Sequence, residues 1–479
     1  MEQNAPTPLP LNTDAAERIS MVVCRNSQGA EVRATLHRLT RYMAVFEVYN
    51  PYSIVQLSEV LNDFRVTMNE RVVYSGRAVI ANLVNTGIML ICEASLTEEG
   101  WIDFVSPTAD KEKLLSEFRD FLRETERIYR VSPEFKLVVA DMQTLLTDLR
   151  RWMEQVELGV RSLPTGDRIA TERETIQQLE VPIMPAVAPL MERFESNASV
   201  IPVEQQPIHR SYIKRQLHPL VLCSPFIYRT FQKPLGYAGD YEMVSMMLRD
   251  PYEGSSMFAK LLNRVFLDTA PVVAHRNRIT YLIERLRDET ARAAGEGRVA
   301  RIHNLGCGPA QEVQSFLNTD SISDEADMVL LDFNDETLVN TTRVLEDIRA
   351  RHRRRTGLKF EKKSVHQILK EAGRPAPGQK GYDLVYCAGL FDYLSDRICR
   401  RLLEIFYDMT APGGLVVATN VDSSNPSRNW MEYVLEWNLV YRDRESFLKL
   451  APEKAPRGSV DIKADSTGVN IFLEIRKPA

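Results

Sequence analysis

Short apolar, β-branched runs occupy the first hundred positions. They are Ile19–Cys24, Glu31–Leu36, Met43–Val48, Phe64–Met68, Arg71–Tyr74, Gly76–Ala81 and Thr86–Cys92. Turn-forming residues separate them, the pattern of a small all-β barrel. From residue 109 the period becomes helical. Leu114, Phe118, Phe121, Leu122, Ile128 and Tyr129 form one stripe, and Leu137, Val138, Met142, Leu145, Leu146, Leu149 and Met153 a second. Ser132-Pro133 marks a break between them. A further helix over 171–195 carries Pro182, Pro185 and Pro189, which predict bends. Residues 197–207 read as a loop. The pattern leaves open a bundle or two hairpins, and a scaffold or a homodimer interface.

Beyond Pro251 helical and strand-like segments alternate. Strand candidates are Ala300–Leu305, Met328–Asp332, Leu358–Lys362, Asp383–Cys387, Leu415–Thr419 and Ile471–Ile475. The alternation predicts an α/β, doubly wound, Rossmann-like domain. The expected organisation is a tail over 1–17, a barrel over 18–108 and a helical region over 109–218. An α/β domain follows over 219–479, divided into a helical lid (219–298) and a core (299–479).

The chain has 479 residues, 44% hydrophobic and 26% charged, which fits two or three globular domains. A net charge of −5 gives no general drive toward nucleic acid. Six scattered cysteines lack metal-binding spacing and read as reduced cytoplasmic thiols. The seven histidines form no metal-like arrangement either, so no metal is expected. The opening residues lack a signal-peptide pattern, and no apolar run approaches the ~20 residues of a transmembrane span.

The candidate chemistry starts at Val299-Ala-Arg-Ile-His-Asn-Leu-Gly306-Cys-Gly308-Pro-Ala310-Gln-Glu. It reads as a strand, a glycine turn and a helix start. Gly306 and Gly308 permit backbone conformations closed to other residues and let a ligand lie against the main chain. The next strand ends in Asp332, suited to accepting two hydrogen bonds from a ribose diol. The turn alone fits NAD, FAD or S-adenosylmethionine (SAM). Pro309-Ala310 in place of x-x-Gly favours a single nucleoside over a pyrophosphate. The Gly413-Gly414 turn and Tyr382-Asp-Leu-Val-Tyr-Cys-Ala-Gly389 add further strands to the same crevice.

Residues 299–479 thereby resemble class I SAM-dependent methyltransferases. The resemblance implies that Gly306 and Gly308 lie under the methionine part of SAM. It implies that Asp332, with Phe333 beside it, holds the ribose. Ser364 and Val365 would border the adenine, and Cys387 and Gly389 would line the floor near the sulfonium. Asn304 stands where that family has an acid, and Ala310 where it has a third glycine; the amide still offers an acceptor to the SAM amine. Arg278 is expected to reach the SAM carboxylate.

Three further motifs resemble the bacterial group that includes the 3-hydroxypalmitic acid methyl ester synthases. They are Lys233-Pro-Leu-Gly-Tyr237-Ala-Gly-Asp240-Tyr241, Ala388-Gly-Leu-Phe-Asp392-Tyr393-Leu and Glu436-Trp437-Asn-Leu-Val-Tyr441-Arg442. The barrel resembles the PilZ family, with Arg38, Thr40 and Met43 where its dinucleotide signature has an acid, a serine and a glycine. The resemblance implies methylation of a small, lipid-like carboxylic acid, a 3-hydroxy fatty acid, as a quorum-sensing signal. A carboxylate is nucleophilic at pH 7, its pKa being about 4, so no base is required. Tyr237, Tyr441 and Arg442 are the expected carboxylate-orienting groups, and Asp240 and Tyr241 the expected closing lid. Met243, Met246, Met247, Met257, Phe258, Trp430 and Trp437 line an acyl channel or fill a core. The basic run Arg349–Arg355 either faces water at a helix end or docks an acyl carrier protein. Two alternatives stay open: another acceptor (amine, phenol or protein), or a SAM-binding regulatory module.

Overall fold

A computed structural model describes residues 20–25, 31–48, 59–68, 71–85, 90–102, 115, 118–119, 131–235, 237–371 and 381–479. In it the described residues fall into two units, one holding those up to residue 119 and the other most of Val131–Ala479.

In the first unit β1 (Met21–Arg25), β2 (Glu31–Leu39), β3 (Met43–Val48), β4 (Val60–Met68), β5 (Arg71–Asn85) and β6 (Leu90–Leu96) close into a barrel. Its order is β1-β2-β3-β6-β5-β4, antiparallel throughout. Alternation sets the register: Val22 and Cys24 of β1 and Ala44 and Phe46 of β3 are buried, and their neighbours face outward. Phe46, Phe64 and Tyr74 meet in the core at centroid distances of 5.5 and 6.1 Å. The two expected runs Arg71–Tyr74 and Gly76–Ala81 form one strand. Gly76 serves a close approach rather than a turn, because a Cβ there would lie 2.9 Å from the Gly100 Cα. Arg38 and Arg41 are exposed.

In the second unit α1 (Pro133–Arg161) starts at Ser132, whose hydroxyl accepts from the Phe135 amide. Leu114, Phe121, Leu122, Ile128 and Tyr129 of the first expected stripe lie outside the described residues. Next come α2 (Thr165–Ser199) and α3 (Gln206–Val221). The helix α2 runs unbroken for 35 residues through Pro182, Pro185 and Pro189, and only residues 200–205 of the expected loop separate it from α3. Then follow α4 (Pro225–Gln232), α5 (Tyr241–Met246), α6 (Met257–Phe266) and α7 (Ala270–Gly295). Phe135, Phe194 and Tyr433 pack mutually at 5.8 to 6.2 Å at the centre of this helical layer.

The remainder is β7 (Ala300–Leu305), α8 (Gln311–Thr319), β8 (Ala326–Asp332), α9 (Asp335–Arg351), β9 (Gly357–Lys362) and α10 (Val365–Glu371). It continues with β10 (Tyr382–Cys387), α11 (Asp396–Met409), β11 (Thr410–Val421), α12 (Arg428–Tyr433), α13 (Arg444–Leu448), β12 (Val460–Ala464) and β13 (Asn470–Arg476). The sheet order is β12-β13-β11-β10-β7-β8-β9. Strands β7 to β11 are parallel, and β13 runs against both neighbours. Ile302, Met328, Leu330, Leu384 and Val417 pack one sheet face against α7, α8 and α9. The chain moves outward from β7 to β9, then returns to β10 on the other side of β7. That reversal makes the carboxyl ends of β7 and β10 the switch point of a doubly wound sheet, where such folds bind ligands.

Candidate functional site at the sheet switch point

The turn after β7 is shaped by backbone conformation. Gly306 and Gly308 have φ of +71° and +52°, the left-handed region that favours glycine. The amides of Gly306 and Cys307 both donate to the Leu331 carbonyl, at 2.8 and 2.9 Å. A Cβ on Gly308 would meet no atom within 4 Å, so the space before the turn is open.

Asp332 closes β8 and is 5% exposed. Its Oδ2 accepts from the Gly308 amide at 3.1 Å and its Oδ1 from the Asn334 amide at 3.0 Å. Burial pushes this carboxyl up, opposed by backbone donors. Each oxygen keeps acceptor capacity, as a diol requires. Phe333 follows and is 43% exposed. Ser364, whose hydroxyl donates to Gln367 at 3.1 Å, and buried Val365 begin the segment after β9.

The other side of the switch point is the end of β10. Cys387 is buried, and burial raises its thiol far above the usual range. Gly389 has φ +80°, and its amide donates to the Thr419 hydroxyl at 3.0 Å. A Cβ on Gly389 would lie 3.1 Å from both terminal nitrogens of Arg278, on α7. The Arg278 guanidinium therefore lies against the floor of the crevice. It meets the Nδ1 of His275 at 2.8 Å. Among the described residues it makes no ion pair, although Asp392 and Glu312 act on it electrostatically. Burial lowers its pKa and holds His275 well below the usual range, so that imidazole is neutral.

Asn304, at the end of β7, donates its amide to Glu312 Oε1 at 3.2 Å, while its own Oδ1 is buried without a partner. Tyr386 donates to the same Glu312 oxygen at 2.8 Å. Sequence reasoning missed Glu312, Tyr386 and His275. The one available signal was position: Glu312 falls in the first turn of the helix that follows the glycine turn.

The remaining expected residues lie in different settings. Asp240 is 1% exposed and caps α5, accepting from the Met243 amide at 2.7 Å. Arg229 grips both of its oxygens, at 2.9 and 2.8 Å. Arg442 is 3% exposed, and every guanidinium nitrogen is held by the protein. Its partners are Asp396, Asn420 and the Phe391 and Leu394 carbonyls. Both side chains are engaged by the protein itself in these contacts. Tyr441 is half-buried, its hydroxyl enclosed without a partner, with Arg428 over its ring at 4.5 Å. Tyr237 is half-buried in the segment between α4 and α5. Tyr241 donates to Glu336 at 2.9 Å, joining α5 to the start of α9. Tyr393 accepts from the Trp437 indole at 2.9 Å. Met243, Met246, Met247, Met257, Phe258 and Trp430 belong to one buried core, so that stripe serves packing.

The open turn, the acceptor pair on Asp332 and a guanidinium that forms no ion pair among the described residues fit a nucleoside carrying an amino-acid tail. No protein-family model and no curated sequence matches the chain. Among solved structures, a "possible exported protein" from Bordetella parapertussis is 18% identical, with a TM-score of 0.40 over 53% of this chain and 86% of its own. Magnesium protoporphyrin IX methyltransferase from Synechocystis with bound SAH is 8% identical, with a TM-score of 0.34 over 56% and 99%. An O-methyltransferase family protein from Burkholderia thailandensis is 11% identical, with a TM-score of 0.33 over 57% and 72%. Among the described residues no helix is long and apolar enough to cross a membrane.

Proposed function

We propose that the chain is a SAM-dependent methyltransferase. The observation that carries the reading is the pairing of Asp332 with the Gly308 amide at the sheet switch point, together with the Arg278 guanidinium against Gly389, bonded to His275 and in no ion pair among the described residues. SAM supplies a methyl group made electrophilic by a positive sulfur. Asp332 accepts the ribose hydroxyls, Phe333, Ser364 and Val365 border the adenine, and Arg278 takes the carboxylate of the methionine tail.

The acceptor we propose is the carboxylate of a 3-hydroxy fatty acid or a similar lipid-like acid, with a methyl ester signal as product. The support is the set of motifs around Tyr237, Tyr393 and Tyr441. Transfer forms one O–C bond and breaks one S–C bond, sulfur keeping the electron pair. The protein has no proton to move; it desolvates one carboxylate oxygen and aims it. Arg442 acts as a positioning residue that fixes the loop after β10, and Tyr237 and Tyr441 keep the carboxylate-orienting role in this reading. The test is incubation with methyl-labelled SAM and a panel of free 3-hydroxy fatty acids, with label read in the organic extract. Labelled methyl ester, lost in Asp332→Ala, supports the reading. SAM binding without ester formation overturns the lipid acceptor and leaves amine, phenol or protein acceptors.

A further inference from the structure

The acid expected two residues before the first glycine is absent, since Asn304 stands there. A carboxyl group is nonetheless present beside that position. Glu312 is 7% exposed and sits in the first turn of α8. Both side-chain donors that reach it, the Asn304 amide and the Tyr386 hydroxyl, end on Oε1. Oε2 receives no side-chain donor. Arg278 is near enough to act on Glu312 electrostatically, yet forms no ion pair with it. A buried carboxyl group and a half-buried guanidinium that form no ion pair with each other suit a ligand that carries both opposite charges.

We infer that Glu312 is the counter-ion for the α-ammonium of the ligand's amino-acid tail, with Asn304 and Tyr386 as positioning residues that fix its carboxylate. The inference rests on the cofactor reading above and adds to it a division of labour. Arg278 selects the carboxylate end of a zwitterion and Glu312 its amino end. The acid of the family pattern has thus moved from the strand end to the helix that covers it. Tyr386 supports the assignment: it pairs in register with Asn304 on the neighbouring strand and reaches Glu312 across the sheet–helix interface. Burial pushes the Glu312 carboxyl up, a cost that an ammonium partner removes.

The test compares S-adenosylhomocysteine, which carries the zwitterion, with methylthioadenosine, which lacks it, by calorimetric titration of the full chain. Glu312→Gln keeps the shape and the bonds to Oε1 but removes the charge. The expected result is an affinity for S-adenosylhomocysteine about tenfold or more weaker, with methylthioadenosine bound as in the wild type. Tyr386→Phe is expected to shift the same ratio in the same direction by a smaller factor. Retained methylthioadenosine binding shows that the variants are folded. Equal losses for both ligands, or no loss for either, overturn the role of Glu312. If the wild type binds neither ligand, the cofactor reading itself fails, and this inference with it.

Discussion

The Gly308 amide donates to the Asp332 carboxylate across 3.1 Å, tying the glycine turn of one strand to the acid that ends its neighbour. The bond fixes both halves of the proposed nucleoside site with one contact. Asp332→Ala removes it along with the ribose acceptors. S-adenosylhomocysteine affinity in this variant is expected to fall by about 2–3 kcal/mol, roughly 30- to 150-fold, read by calorimetry. An unchanged affinity would place the nucleoside elsewhere.

Gly389 offers a second handle on the same crevice. Its φ of +80° and its approach to Arg278 make any side chain there strained and intrusive. Gly389→Ala is expected to cost about 1–2 kcal/mol of stability and to displace Arg278. Its ligand defect should be larger for S-adenosylhomocysteine than for methylthioadenosine. Equal affinities for both in the variant would detach Arg278 from the tail.

Arg442 and Tyr441 are adjacent in sequence and opposite in expectation. Arg442 holds a buried network, so Arg442→Ala is expected to destabilise the fold by about 3–5 kcal/mol, measured by denaturant unfolding. Tyr441 has an enclosed hydroxyl with no partner, so Tyr441→Phe is expected to be neutral or stabilising by about 1 kcal/mol. If that hydroxyl meets the acceptor, transfer falls while stability does not. A less stable Tyr441→Phe would mean that the hydroxyl is already bonded.

His303, on β7, is 6% exposed, and burial holds its pKa down to about 4. Its unfolded value is about 6.5, so the unfolded chain takes up the proton first. Stability is therefore full above about pH 6.5 and falls as the pH drops from there toward about 4, by up to about 3 kcal/mol for this group. In His303→Phe the dependence across that window is expected to flatten. An identical pH slope in the variant would assign the loss to other groups.

Much of the α/β core was legible because the inner parallel strands are buried on both faces and read as continuous apolar runs. The edge strand β12 was not, since Val460-Asp-Ile-Lys-Ala464 alternates with charges; Lys463 pairs with Glu474 of β13 at 2.6 Å. The glycine turn and Asp332 were legible from their spacing alone. The commitments of Asp240 to Arg229 and of Arg442 to backbone carbonyls were not, because long-range partners leave no local pattern. Glu312 was hidden for the same reason: its meaning comes from Asn304 and Tyr386, on two other elements. The methionine stripe was ambiguous, as apolar spacing does not separate a channel from a core.

The most direct test of the central claim is equilibrium dialysis of the purified full chain against labelled SAM, beside Asp332→Ala. The account predicts saturable binding of one SAM per chain in the wild type and its loss in the variant. No binding by the wild type, or equal binding by both proteins, would contradict it.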